Sequence, residues 1–461
     1  MVYDIAIIGA GVVGAMIARE LSKYNVSVCV IEKASDVAMG ASKANSGIVH
    51  AGFDASSGSL KARLNVQGSR MMEDLTKELG VKYRRNGSLV LAFSDEEMET
   101  VKSLYERGIK NGVTGLEVIG SQLLRELEPN VSDNAVGALY AKTGAIVCPY
   151  ELTIGAMGLA MDNGVELHLE SRVDKIEFNN EVYEITTNKD TVKAKYIVNA
   201  AGMFADKIAE MVGDNSISIR PRKGEYLLLD KEWGSLVNHT VFKVPTKMGK
   251  GVLISPTVDN NIILGPTSED IDDKEDISTT RSGIQRIIDN ASECVKNIPY
   301  RSVITSFTGL RATTENGDFI ISNSRPNFVN VAGIDSPGLT AAPAIALCVI
   351  DILKGMNVEL TEKVEFTNKR KIYYADKGKY NKIICRCEKV SEGTIIEAIH
   401  TNPKALNVDA VKRRTRSGMG RCQGGFCMPS VVSILAKELN IDVCDVTKSG
   451  GDSRLVLDKK G

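Results

Sequence analysis

"YDIAIIGAGVVGAMIARELSKYNVSVCVIEK", Tyr3 to Lys33, decides the fold. An apolar run at 5–8 meets Gly9, Gly11 and Gly14; a helical pattern follows over 12–24; a second apolar run over 26–31 ends at Glu32. This is strand, glycine turn, helix, strand. In such a unit Gly9 makes the tight turn, Gly11 admits a pyrophosphate to the backbone, and Gly14 lets helix and strand approach. The helix start offers free N–H groups to phosphate. Glu32 stands where a carboxylate accepts from a ribose, with Lys33 beside it.

"VKAKYIVNAAGMFAD", Val192 to Asp206, adds a second apolar strand ending in small residues, at Ala201 and Gly202. Flavoproteins bring such a turn against FAD, whereas a simple NAD domain has no need of it. "GASKANSGIVHAG", Gly40 to Gly52, follows the fingerprint. It is made of small residues around Ser42 and Ser46, and it carries His50, one of four histidines in the chain.

The totals narrow the classes. A chain of 461 residues holds two or three domains, and a net charge of −1 gives no reason to expect nucleic acid as a partner. No run of 18 apolar residues appears, so no membrane span is expected. The start lacks a basic region before its apolar run and does not read as a signal peptide. Of nine cysteines, five are scattered and four fall in two tight pairs near the C-terminus. That pattern fits a reduced, cytoplasmic protein with one cysteine-built site, association with a membrane through a partner subunit being left open.

The fingerprint, "NSGIVHAG" and "VNAAG" together resemble the FAD-dependent oxidoreductases related to D-amino-acid oxidase. Within them "ASKANSGIVHAG", "GKGVLISPT", "ILGPT", "GLRATTENGDFII" and "NVAGIDSPGLTAAPAIA" resemble the glycerol-3-phosphate oxidases and dehydrogenases, with 2-hydroxyglutarate dehydrogenases as cousins. The resemblance runs over about 1–365. It implies a Rossmann-like α/β FAD domain (about 1–80, 146–215 and 305–365) interleaved with a mixed-sheet, α+β substrate domain (about 81–145 and 216–304).

It also implies roles. The loop at Ser46 passes beside the flavin ring, and His50 is the base that takes the hydroxyl proton as hydride leaves carbon; an imidazole with a pKa of ~6.5 suits that work. A structural His50, or one covalently linked to flavin, stays open. Arg311 is the first choice for the anionic end of the substrate, a structural pair with Glu315 being the alternative. Lys250 is the expected active-site lysine, with Lys247 competing. Gly338, Leu339 and Thr340 open a helix aimed at the flavin, whose N–H groups stabilise negative charge on it. Ser336 is placed near substrate or FAD, and Val173 by the adenine.

From about residue 366 the chain turns polar and basic, a linker over 366–382. Then Cys385 and Cys387 form C-x-C, and Cys422 and Cys427 form C-x4-C. With "GMGRCQGGFC" and two helical segments at 392–400 and 429–439, residues 383–461 resemble the small helical [2Fe–2S] domain of the bacterioferritin-associated ferredoxin type. The four thiolates are the expected iron ligands. Structural zinc is the alternative. Lys412, Arg413, Arg414, Arg416 and Arg421 are expected to offset the cluster's negative charge.

Three functions follow from the resemblance. One is an FAD enzyme oxidising glycerol 3-phosphate and passing electrons through the cluster to a protein acceptor. Another is a 2-hydroxy-acid or amino-acid dehydrogenase on the same scaffold. The last is an electron-transfer subunit of a larger complex.

Overall fold

The computed structural model describes residues 1–245 and 251–457. Strands Glu166–His168, Val28–Ile31, Val2–Ile8 and Thr191–Asn199 lie side by side in parallel. The free edge of Thr191–Asn199 pairs first with the hairpin Val173–Asn179/Val182–Thr187 and then, in parallel, with Phe328–Ala332. Strands covered on both faces are nearly apolar throughout: Val28–Ile31 and Phe328–Ala332 are buried at every position, the one polar residue, Asn330, being bonded to Asn199 and Asp214. On one face helices Val12–Leu21, Leu60–Leu79, Pro149–Asp162 and Gly338–Gly355 share a single core.

The glycine turn is dictated by contact. An added Cβ on Gly14 would overlap the Gly9 carbonyl oxygen, and Gly9 itself has φ +105° against the Ala200 carbonyl. No L side chain fits there without moving backbone. The first helix ends at Leu21, short of the expected Tyr24, because Ser22 caps it and Tyr24 bridges to Glu362. The helix that Gly338 opens runs to Gly355. It is long and apolar enough to cross a membrane, yet 61% of its residues are buried inside the protein, as befits a core helix.

A second sheet of nine strands is drawn from residues 88–141 and 220–313. Its longest ladder pairs Arg220–Leu229 with Val303–Thr313 antiparallel. A third, small sheet joins Ile48–Val49 and Tyr83–Arg84 to Ala145–Val147. It lies where the sequence reads as a loop; two-residue strands carry no periodicity to detect.

The C-terminal part is a two-strand ladder, Ile383–Cys385 with Val390–Ser391, and three helices: Glu392–His400, Val408–Thr415 and Met428–Leu439. They close on their own core, including Ile395, Ile399, Val411 and Leu435. The middle helix is missed by the sequence reading, which takes "KRRTR" for charge alone. Its signal is Asn407, whose side chain caps the Ala410 N–H, followed by buried Val408, Ala410 and Val411.

Between the two parts, residues 361–376 are irregular but fastened, and a short 3-10 helix, Lys377–Asn381, leads into the small domain. Arg370 pairs with Asp162 (3.1 Å), and Thr367 N–H donates to Asn163 (3.0 Å).

Candidate active site and iron–sulfur centre

At the fingerprint, Glu32 is fixed from two sides: one carboxylate oxygen accepts from Ala10 N–H and the other from Ala34 N–H, both at 2.8 Å. Burial pushes its carboxyl up despite these two donors. The Ser42 hydroxyl accepts from Val12 N–H (2.9 Å), tying the small-residue loop to the helix start where Gly11 stands. Ala201 and Gly202 close the second turn, and Val173 is buried on the adjoining hairpin. Lys33 turns outward instead, over the Phe204 ring (3.7 Å) and toward Glu275 (3.6 Å).

His50 directly follows the short strand Ile48–Val49. Its N–H donates to the Thr340 hydroxyl (3.0 Å), which donates to the Ile48 carbonyl (3.3 Å). One side chain therefore stitches the small-residue loop to the first turn of Gly338–Gly355. Gly338 and Leu339 begin that helix; the Gly338 N–H is taken by the Asp335 carbonyl, and Thr340 holds the helix start against the His50 loop. Asn65, buried on the helix Leu60–Leu79, holds the other side. With its amide nitrogen toward His50 it donates to the His50 carbonyl (3.2 Å) and accepts from Gly52 N–H (3.1 Å). Nothing in the sequence marks this asparagine; only the fold brings it to the loop.

A cavity of about 620 Å³ opens beside this loop, lined by His50, Ser336, Arg311 and Arg222 among others. Ser46 is half-buried on the approach to Gly47. Arg311 donates to the Thr267 carbonyl (2.6 Å), and Glu315 pairs with Arg220 (2.6 Å), so the Arg311–Glu315 alternative is replaced.

Arg222 is a residue the sequence reading missed. It sits directly opposite Arg311 in the antiparallel ladder, so the two guanidinium groups share one face. Like charges opposed across a ladder repel; here Asp270 takes Arg222 in a two-pronged pair at 2.6 and 3.1 Å. Lys61, also on the wall, is matched by Asp335 (2.5 Å). Lys250 and Lys247 lie outside the described residues.

The four paired cysteines converge. The Cys387 and Cys422 sulfurs are 3.6 Å apart, and the Ser417 hydroxyl donates to Cys427 at 3.6 Å. Gly420 is required there, since a Cβ would overlap Cys387. For Cys422, burial acts upward, but the Phe426 N–H, the Cys387 thiol and the Gly424 N–H outweigh it and hold the thiol below its ordinary value. This is the setting an iron-bound thiolate needs. The donor set is four sulfurs with no imidazole or carboxylate, and it fits a [2Fe–2S] cluster. By contrast Cys29, Cys148 and Cys294 are buried singly, and His168, His239 and His400 each lie beside a glutamate. Protein purified without oxygen is expected to carry about two irons and two acid-labile sulfides per chain; one zinc without sulfide would contradict the assignment.

The basic run does not surround the cysteines. Arg413 and Arg414 both clamp Asp36, at 2.7 and 2.8 Å. Arg416 reaches Asp259 (2.8 Å), Asn261 (2.9 Å) and Glu388 (2.9 Å), and Arg421 reaches Asp230 (3.1 Å). Adjacent Arg413 and Arg414 converge on one aspartate, while Arg416 and Arg421 on the following turn reach different carboxylates. The arginines bind the small domain to both others instead of neutralising the cluster.

The comparisons agree with this division. Residues 4–352 match the family model "FAD dependent oxidoreductase", and 383–437 match "BFD-like [2Fe-2S] binding domain". The chain is 50% identical to a glycerol 3-phosphate dehydrogenase of Caloramator mitchellensis over 97% of this chain and 96% of that one. It is 33% identical to the mitochondrial L-2-hydroxyglutarate dehydrogenase of Nematostella vectensis over 58% of this chain and 62% of that one. Among solved structures, the dithionite-reduced L-alpha-glycerophosphate oxidase of Mycoplasma pneumoniae with FAD bound superposes with a TM-score of 0.77, at 30% identity, over 81% of this chain and 100% of that one. The glycine cradle with its anchored Glu32 fits FAD, as the four converging thiols fit the cluster. The chain belongs to the FAD dependent oxidoreductase family, and its C-terminal domain is of the BFD-like [2Fe–2S] binding kind.

Proposed function

We propose that the protein oxidises sn-glycerol 3-phosphate to dihydroxyacetone phosphate in the cavity between His50 and Arg311, and passes the electrons through its cluster to a protein acceptor. FAD, when bound, supplies the hydride acceptor. His50 holds the place of the base for the substrate hydroxyl, its backbone fixed by Thr340 and Asn65 so that the ring keeps its position. Arg311 takes the anionic end, and the first turn of Gly338–Gly355, from Gly338 to Thr340, faces the developing negative charge.

The observation that carries the substrate is the Arg222–Arg311 pair. Side chains opposed across a ladder start about 5 Å apart, so the Arg311 guanidinium and the corner of Arg222 not engaged by Asp270 bring two positive charges to one compact group. A phosphate ester carries about −1.5 to −2 charges near pH 7 on a single centre. A 2-hydroxy dicarboxylate divides its charge between two ends and matches this concentrated positive charge less well. The Caloramator relative, similar over nearly the whole chain, carries the matching name.

Support for the relay comes from how the small domain is seated. The Val147 N–H donates to Gly47, within the small-residue loop, at 2.8 Å. Three residues on, the Tyr150 hydroxyl meets the Met419 sulfur at 3.4 Å and Arg416 at 3.4 Å. The cysteine loops thus lie on the flank of the His50 loop.

Arg222→Gln and Arg311→Lys test the substrate. Each weakens a charge-assisted contact to the anion worth about 1.5–3 kcal/mol, so the half-saturating glycerol 3-phosphate concentration is expected to rise about 10- to 100-fold while the rate at saturation holds. If Arg222→Gln instead weakens 2-hydroxyglutarate and leaves glycerol 3-phosphate untouched, the carboxylate reading takes its place.

A further inference from the structure

The cysteine site is lopsided. Cys385 and Cys427 are 1% and 2% exposed, whereas Cys422 is at the surface. Phe426, between Cys422 and Cys427, is 63% exposed. Arg386, between Cys385 and Cys387, lies over its ring at 4.8 Å. An aromatic left in water beside the exposed edge of a metal site contributes little to the domain's own core. Phenylalanine and arginine are, however, residue types enriched where proteins meet.

Charge around this edge is sorted. The loops' one carboxylate, Glu388, turns inward to Arg416 (2.9 Å) and Lys231 (3.3 Å). The nearest carboxylates of the substrate domain, Asp230 and Glu232, are matched by Arg421 at 3.1 and 3.3 Å. Lys379 and Lys382 are spent on Glu392 at 2.6 and 2.9 Å. Arg386 and Lys389 are exposed and form no ion pair among the described residues. The rim therefore presents an aromatic surface with uncompensated positive charge.

We propose that the rim formed by Phe426, Arg386 and Lys389 is the docking surface for an acidic protein that accepts one electron at a time. This rests on the relay reading above. Two docking events, each carrying away one electron, balance the two electrons released when one substrate molecule is oxidised. The surface selects by sign, because charge at a rim governs encounter more than final affinity.

The probes are two haem proteins of opposite charge, acidic cytochrome b5 and basic cytochrome c, titrated calorimetrically into the oxidised holoprotein at low ionic strength. Cytochrome b5 is expected to bind, and to weaken about tenfold or more on raising salt to ~0.15 M. Lys389→Glu, and Arg386→Glu with it, should weaken binding by about tenfold or more, and Phe426→Ala should weaken it at both salt concentrations. Iron content and flavin bleaching by substrate should be unchanged in these variants. Tighter binding of cytochrome c, or cytochrome b5 binding indifferent to Lys389→Glu and Phe426→Ala, overturns the proposal. If cytochrome b5 binds at this rim yet takes no electron from the substrate-reduced protein, the docking surface stands and the relay falls.

Discussion

His50→Asn is expected to slow anaerobic bleaching of the flavin by glycerol 3-phosphate by about 10²- to 10⁴-fold, the usual worth of a positioned general base. The half-saturating concentration should move little, because the proposed anion site, at Arg311 and Arg222, is on the other sheet. Asparagine keeps a polar side chain of similar reach and leaves the backbone bonds to Thr340 and Asn65 in place. A loss of rate therefore reports on the proton, not on a collapsed loop. Stopped-flow mixing over a range of substrate concentrations separates the two quantities. If the variant bleaches at the wild-type rate, the histidine only shapes the loop, and the small residues around it serve to make room for the ring.

Asp36→Ala is expected to release the iron–sulfur domain from its seat. Asp36 is 1% exposed and holds two arginines of the other domain at once. Removing it strands two buried guanidinium groups, and breaking a buried pair in this way costs about 3–5 kcal/mol. Residues 361–382 would lose their protection, so brief proteolysis should cut the variant there at concentrations that leave the wild type intact. Burial acts upward on the Asp36 carboxyl, but Arg414 and Arg413 more than offset it and hold the group below its ordinary 3.8. Its contribution is complete above that value and is lost only as pH falls through the lower folded one. Docking should accordingly survive mild acid. A variant as resistant to protease as the wild type would show that the apolar contacts suffice.

These two residues differ in how far the sequence exposes them. His50 announces itself as a rare residue in a stretch of small ones, close behind a fingerprint. Asp36 does not. It lies a few positions past Glu32 in an unremarkable loop, and its partners follow some 375 residues later. The four paired cysteines were legible because their pairs are tight and the motif around them resembles a [2Fe–2S] domain. The arginines beside them were misread because sequence shows proximity and not direction: on Val408–Thr415 and its turn they fan outward to three carboxylates of the other domains. Arg222 was hidden for a related reason. Its meaning comes from the residue opposite it in a ladder, and register between strands about ninety residues apart leaves no mark in either one. The strands Val2–Ile8 and Val28–Ile31 were plain from the apolar runs at 5–8 and 28–31, whereas Ile48–Val49, which sets the place of His50, was too short to show a period.

Oxidation of glycerol 3-phosphate in the His50–Arg311 cavity is read most simply by adding sn-glycerol 3-phosphate to the wild-type holoprotein without oxygen and following the flavin absorbance and the product. The flavin is expected to bleach fully, with about one dihydroxyacetone phosphate formed per flavin reduced. A flavin that stays oxidised with glycerol 3-phosphate but bleaches with L-2-hydroxyglutarate would assign the cavity to the carboxylate instead.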